Sequence, residues 1–251
     1  MNSYKLPFVP GNNRPGILPL ARFLPPVPAG MVANWFKRDL TNESWIIDPL
    51  GSSPLLDLEA AQAGYRVFVT CNNPVLSFML EIMAKAPSKN DFQAALSELA
   101  TARMGSERLE THLQSLYQTE CAACGNTIQA QAFLWKKEEI KPFARQYRCP
   151  YCGDEGERLI GEEDLQRLAF LTKSAGLHRA RAAERVRLDD IQATITAQEA
   201  LQTYLPRPTY FLFTLLNKIE GLPIPEERRN LLIALVISAC DAGNTLWSWP
   251  N

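Results

Sequence analysis

The stretch Trp45-Ile46-Ile47-Asp48-Pro49-Leu50-Gly51-Ser52-Ser53-Pro54 decides how the first part of the chain is read. Three apolar residues suited to a strand end at an acid, and the Pro-Leu-Gly-Ser-Ser-Pro that follows has turn chemistry, so a strand is expected to enter a loop here. Beyond it, residues 55–63 are helix formers, with Gly64 where helices often stop. Residues 66–70 are β-rich again, and residues 74–86 predict an apolar helix with Leu76, Met79, Leu80 and Met83 on its buried side. Strand, helix, strand and helix joined by short connections are most economically a right-handed βαβ unit with a parallel sheet. On the upstream side, Met31, Val32, Trp35 and Phe36 fall at helical spacing and predict a short amphipathic helix. Before that, Pro7, Pro10, Pro15, Pro19, Pro25, Pro26 and Pro28 remove amide donors and fix backbone angles, which makes residues 1–30 an extended arm.

Downstream, residues 91–117 place Phe92, Leu96, Leu99, Leu109, Leu113 and Leu116 at helical spacing, interrupted near Gly105, so a helix pair is expected. It leads into Cys121-Ala-Ala-Cys124-Gly125 and, later, Cys149-Pro-Tyr-Cys152-Gly153. Two intervening residues let both sulfurs of a pair reach one ion at ~2.3 Å, and the trailing glycine can take the positive φ that such a turn requires. Each pair then supplies half of a tetrahedron, and structural zinc is the expected occupant, with an iron-sulfur centre or free thiols as the alternatives. Between the pairs, Ile128, Ala130, Ala132 and Leu134 alternate and residues 143–148 are strand-like, so the ion would tie down a β-hairpin too small to hold itself. His112 and His178 have no partner at ligand spacing and are expected in surface or capping roles, while Cys71 and Cys240 read as small buried apolar groups. Residues 162–173, 206–220 and 225–242 predict further helices, and a basic stretch holds His178, Arg179, Arg181, Arg185 and Arg187.

Composition limits the function classes. With 251 residues and 46% apolar content the chain can build one large or two small cores. Its 26 basic and 27 acidic side chains nearly cancel, which excludes a global field attracting nucleic acid or anionic membrane. The longest strongly apolar stretch, residues 231–240, is half of the ~20 residues a spanning helix needs, so it reads as a buried helix. No secretion signal is recognisable at the start, and paired Cys-x-x-Cys motifs favour metal over cystine, so a cytoplasmic setting is expected and no membrane partner.

The Asp48-to-Pro54 loop after one strand, followed by Cys71-Asn72-Asn73-Pro74 after the next, resembles the first two motifs of the amino-group DNA methyltransferases, which modify adenine N6 or cytosine N4. The resemblance runs loosely from the proline-rich arm through the cysteine region. It implies a Rossmann-like half-domain in which Asp48, Pro49, Gly51, Ser52 and Asn72 contact S-adenosylmethionine, with DNA as the substrate partner. Several large members of that family also carry a Cys-x-x-Cys ribbon after this half-domain. Three positions depart from the family pattern. Its two later loop glycines fall on Ser52 and Pro54, and its ribose-binding acid falls on Cys71, all of which weaken cofactor binding. The catalytic Asp/Asn-Pro-Pro-aromatic tetrapeptide does not occur in the chain, so no catalytic residue is assigned and a complementing methyltransferase chain is the implied partner.

The fold class expected is therefore α/β: a partial Rossmann-like methyltransferase half with an inserted zinc ribbon and a helical C-terminal region. The expected segments are residues 1–88 for the arm and βαβ unit, 89–119 for a helical linker, 120–156 for the ribbon and 157–251 for the helices. The expected function is that of a DNA-methyltransferase-like protein incompetent alone. The alternative is a non-enzymatic zinc-ribbon adaptor that binds nucleic acid or protein through Lys136, Lys137, Lys141, Arg145 and Arg148 and the 179–187 stretch.

Overall fold

Helix α1 (Met31–Asp39), strand β1 (Trp45–Asp48), helix α2 (Pro54–Gln62), strand β2 (Arg66–Val69) and helix α3 (Pro74–Lys85) follow one another in a computed structural model. It describes residue 20 and residues 23–41, 44–137, 139–185 and 190–246. Pro7, Pro10, Pro15, Pro19, Glu138, Arg187 and the final Trp249-Pro250-Asn251 lie outside the described residues. The chain divides into two units, Met1–Phe92 and Gln93–Asn251. Together they mix helix and strand, so the protein is broadly α/β.

In the first unit β1 and β2 pair in parallel, in register from Trp45↔Arg66 to Asp48↔Val69, and α2 is the crossover between them. Pro54 opens α2, where a missing amide hydrogen leaves no helical bond unmade. The same helix ends in a Schellman arrangement: Tyr65 N–H donates to Ala60 O (3.2 Å), Gly64 N–H donates to Ala61 O (3.0 Å), and Gly64 has φ 95°. Asn73 caps α3, its Oδ1 accepting from the amides of Val75 (3.0 Å) and Leu76 (3.2 Å). Helix α1 is held to this framework by Ala33 N–H on Glu59 Oε1 (3.0 Å) and by Phe36 edge-on to Tyr65. One face of the two-stranded sheet is bare: Trp45 is 64% exposed, Ile47 69% and Phe68 54%.

Helix α4 (Lys89–Thr101) runs across the division, and the second unit continues with a small hairpin of β3 (Arg103–Met104) and β4 (Glu107–Arg108) and helix α5 (Leu109–Ser115). The interruption near Gly105 is thus a hairpin turn, with Gly105 at φ 63°. Strands β5 (Gln118–Glu120), β6 (Thr127–Leu134), β7 (Ala144–Arg148) and β8 (Glu155–Leu159) form an antiparallel sheet in that order, twice the strands of the expected hairpin. Helices α6 (Glu162–Arg185), α7 (Ile191–Gln202), α8 (Pro206–Gly221) and α9 (Glu226–Gly243) complete the described residues. Helix α6 carries His178, Arg179, Arg181 and Arg185 of the basic stretch, and α7 was not anticipated from the sequence.

The helical core gathers Leu99, Leu109, Leu113, Leu171, Ile219 and Leu232 from α4, α5, α6, α8 and α9. The apolar run at residues 231–240 lies inside α9, with Leu231, Leu232 and Val236 buried. Among the described residues no helix is long and apolar enough to cross a membrane.

The sheet and helices, expected as separate segments, belong to one unit because buried cations join them. Arg145 of β7 pairs with Asp164 of α6, the side chains being 8% and 1% exposed. Arg207 of α8 donates to Leu116 O (2.8 Å) and stacks 3.7 Å over the ring of Phe133 on β6. Burial pushes the Arg207 guanidinium down to about 10, which still leaves it charged at neutral pH.

Candidate metal centre

The two cysteine pairs fold into turns of the same construction. In the first, Cys121 N–H donates to Asn126 O (2.9 Å) and Gly125 N–H donates to Cys121 O (2.9 Å). In the second, Cys149 N–H donates to Asp154 O (2.8 Å) and Gly153 N–H donates to Cys149 O (3.1 Å). Gly125 and Gly153 have φ of 69° and 77°, and a Cβ at either would meet no atom within 4 Å, so backbone angle rather than space calls for glycine. The first turn joins β5 to β6 and the second joins β7 to β8, which brings both turns to one end of the sheet.

There the four sulfurs converge. All lie within 4.8 Å of one another, with Cys121 to Cys152 at 3.6 Å and Cys124 to Cys149 at 3.7 Å. None is in a disulfide. A tetrahedron of thiolates ~2.3 Å from a central ion has edges of about 3.8 Å, so the cluster has the size of a four-sulfur metal site. The first cysteine of each turn is buried and the second exposed. The four cysteines predicted as ligands are thus brought together and could hold a metal ion.

Crowding sets the electrostatics. Burial opposes ionisation of Cys121, yet the amides of Cys124 and Ala123 and the thiols of Cys124 and Cys152 bring it down to about 6. At Cys152 the Asp154 amide favours the thiolate, but burial and the sulfurs of Cys121, Cys124 and Cys149 push it up to about 12. The first negative charge forms easily and the last resists, a strain that a bound cation relieves.

Tyr147 couples the two turns. Its hydroxyl accepts from Ala122 N–H (2.8 Å) and donates to Asp154 Oδ2 (2.8 Å), and Asp154 pairs with Arg158. Asn126 Nδ2 donates to Cys124 Sγ (3.3 Å). Sequence spacing singled out the four cysteines that cluster and missed Tyr147 and Asp154; the sign available was the acid immediately after Cys-x-x-Cys-Gly.

The basic residues expected to contact nucleic acid are partly consumed. Arg145 is buried against Asp164, Arg148 faces Glu155, and Lys136 faces Glu139. Arg179 clamps the end of α7, donating to Leu201 O, Tyr204 O and Thr209 Oγ1, while Arg185 pairs with Glu220. Lys137, Lys141 and Arg181 remain as exposed cations.

In the first unit the expected cofactor residues sit at the carboxyl end of β1. Asp48 Oδ1 accepts from the amides of Leu50 (2.8 Å) and Gly51 (3.0 Å), and Pro49 O accepts from Thr70 Oγ1 (2.7 Å). Gly51 has φ 54°, and a Cβ there would lie 2.8 Å from Cys71 Cβ, so no other residue fits the closed loop. Ser52 and Asn72 are exposed. The sequence reading passed over Ser53 and Asp57, 1% and 6% exposed, whose Ser53 Oγ and Asp57 Oδ2 have no hydrogen-bond partner among the described residues. Burial and the neighbouring Asp48 carboxylate push Asp57 up to about 6. An acid inside the apolar run Leu55-Leu56-Asp57-Leu58 was the available sign.

This arrangement does not fit the ribose end of S-adenosylmethionine. The single S–H of Cys71 lies within reach of Gly51 O (3.5 Å) and Asn73 O (3.4 Å) and offers no carboxylate to the ribose hydroxyls, and two loop amides are already taken by Asp48. No family model, curated protein or solved structure matches the chain.

Proposed function

We propose that this chain is a DNA-methyltransferase-like protein: the cofactor-side half of a Rossmann-like domain and a zinc ribbon on the target-recognition side, without methyl-transfer activity of its own. The observation that carries the reading is the parallel β1–α2–β2 unit, whose strand-end loop is organised by Asp48 and closed on Gly51, beside a bare face of Trp45, Ile47 and Phe68. Parallel sheets are covered on both faces almost without exception, and two strands alone are marginal. A second polypeptide that supplies further strands, a covering helix and the missing Asp/Asn-Pro-Pro-aromatic tetrapeptide would complete such a sheet. The mismatch at the ribose end accords with a chain that does not hold S-adenosylmethionine tightly.

The metal we assign is Zn2+, because four thiolates at tetrahedral spacing suit a borderline-soft ion with no geometric demand of its own. Calorimetry with S-adenosylmethionine and a methyl-transfer assay on mixed-sequence DNA test the reading. The expected results are no binding tighter than ~100 μM, on the order of 5 kcal/mol, and no product. Methyl transfer by the purified 251-residue chain overturns it.

The second reading, a ribbon adaptor that contacts nucleic acid, draws on exposed Lys137 and Lys141 in the β6–β7 connection, at the end of the sheet away from the sulfur cluster. Mobility shifts at two salt concentrations decide it, since phosphate contacts make affinity fall steeply with salt.

A further inference from the structure

The chain has two histidines, and both meet the same tyrosine. His112 Nε2 lies 2.9 Å from Tyr210 Oη, and His112 Nδ1 lies 3.0 Å from Glu107 Oε1. In the neutral tautomer that donates from Nδ1 to the Glu107 carboxylate, Nε2 accepts from the Tyr210 hydroxyl. The phenol proton therefore points at His112, and the oxygen, which already takes a hydrogen bond from the Thr214 hydroxyl, keeps one lone pair for another donor. His178 packs edge-on against Tyr210 and stacks on Phe213 at an interplanar angle of 8°.

Tyr210 and His178 are part of the wall of a cavity of about 490 Å³, within the range of small-molecule sites. Arg103, Thr214, Asn217 and Lys218 line it too, and none of its lining residues is acidic. Lys218 donates to Arg103 O and Arg103 to Ser106 O (3.1 Å), yet neither cation has an ion-pair partner among the described residues. An ammonium has three N–H groups and a guanidinium five, so both keep donors for a ligand. Met104 and Leu222 add an apolar side. Such a wall offers two cations and an amide for an oxyanion, and a hydrogen-bond acceptor at Tyr210 for a hydroxyl.

We propose that this cavity binds a small hydroxylated anion, a phosphorylated sugar or a compound of like chemistry, with its oxyanion at Arg103 and Lys218 and a hydroxyl donated to Tyr210. The site lies wholly within the second unit and is independent of the methyltransferase-like reading. Titration calorimetry of the zinc-loaded full chain with ribose 5-phosphate and with inorganic phosphate tests it. Ribose 5-phosphate is expected to bind about tenfold more tightly than phosphate, and Arg103→Ala or Lys218→Ala to weaken both by about tenfold without moving the thermal midpoint. Tyr210→Phe, which keeps the ring packing, is expected to remove the advantage of the sugar. Absence of binding at about 10 mM of either probe, equal affinity for the two probes, or affinities unchanged in both cation variants overturns the proposal.

Discussion

The two sheets of this protein solve the same problem by different means. The four-stranded sheet β5–β8 is small, yet it is closed at one end by converging sulfurs and along its length by Arg145 on Asp164 and Arg207 on Phe133. Among the described residues the two-stranded sheet β1–β2 has neither staple nor second cover, and Trp45, Ile47 and Phe68 are exposed. Size does not decide which sheet is finished. What decides it is whether buried ion pairs and converging sulfurs inside the chain replace the burial that a short sheet lacks.

The largest effect that breaks the comparison is metal removal. A structural zinc contributes on the order of 10 kcal/mol to a small fold, so a chelator or Cys149→Ala is expected to strip hydrogen-exchange protection from β6, β7 and β8. Protection at β1 and β2 should stay unchanged, and metal analysis of the untreated chain should find one ion. An intact β6–β8 ladder in metal-free protein would deny the sulfurs their staple role.

Next comes Asp164→Ala, which leaves the buried Arg145 without its partner and costs about 3–5 kcal/mol, read as a lower denaturation midpoint of the second unit. In the first unit, Gly51→Ala forces a side chain into positive φ and against Cys71, at a cost of about 1–3 kcal/mol. Loss of the β1–β2 pairing with the ribbon intact would be the expected pattern.

A smaller effect follows from Asp57. Folded, it keeps its proton up to about pH 6, whereas an unfolded aspartate loses it near pH ~4. The native unit therefore holds more protons in that window, and its stability falls as pH rises through it. Asp57→Asn should flatten the dependence, as read by denaturation curves between those limits. The smallest effect is Ile47→Lys on the bare face, expected to shift stability by no more than about 0.5 kcal/mol. Sedimentation of the unmodified chain sharpens this point: a dimer that the lysine dissolves would make a second copy the cover, against a complementing methyltransferase chain.

Local chemistry was legible along the chain. The Cys-x-x-Cys-Gly spacing states its own turn geometry, Gly64 marks a helix end by its backbone freedom, and alternation at Ile128 and Ala130 marks β6. Each of these depends on neighbours within a few residues. Strands β5 and β8 were not legible, because three and five mostly polar residues become strands only by pairing with β6 and β7. The fates of the arginines were hidden for a related reason: Arg145 and Arg148 stand three positions apart, one buried and one exposed.

What the amino-acid order determined by itself is the set of turns, caps and paired thiols, since short-range sterics and ligand spacing need no distant partner. Tertiary structure alone decided that the ribbon and helices are one unit and that His112 and His178 meet Tyr210. Those outcomes depend on which surfaces the fold removes from water, and desolvation is a property of the assembled chain rather than of any segment in it.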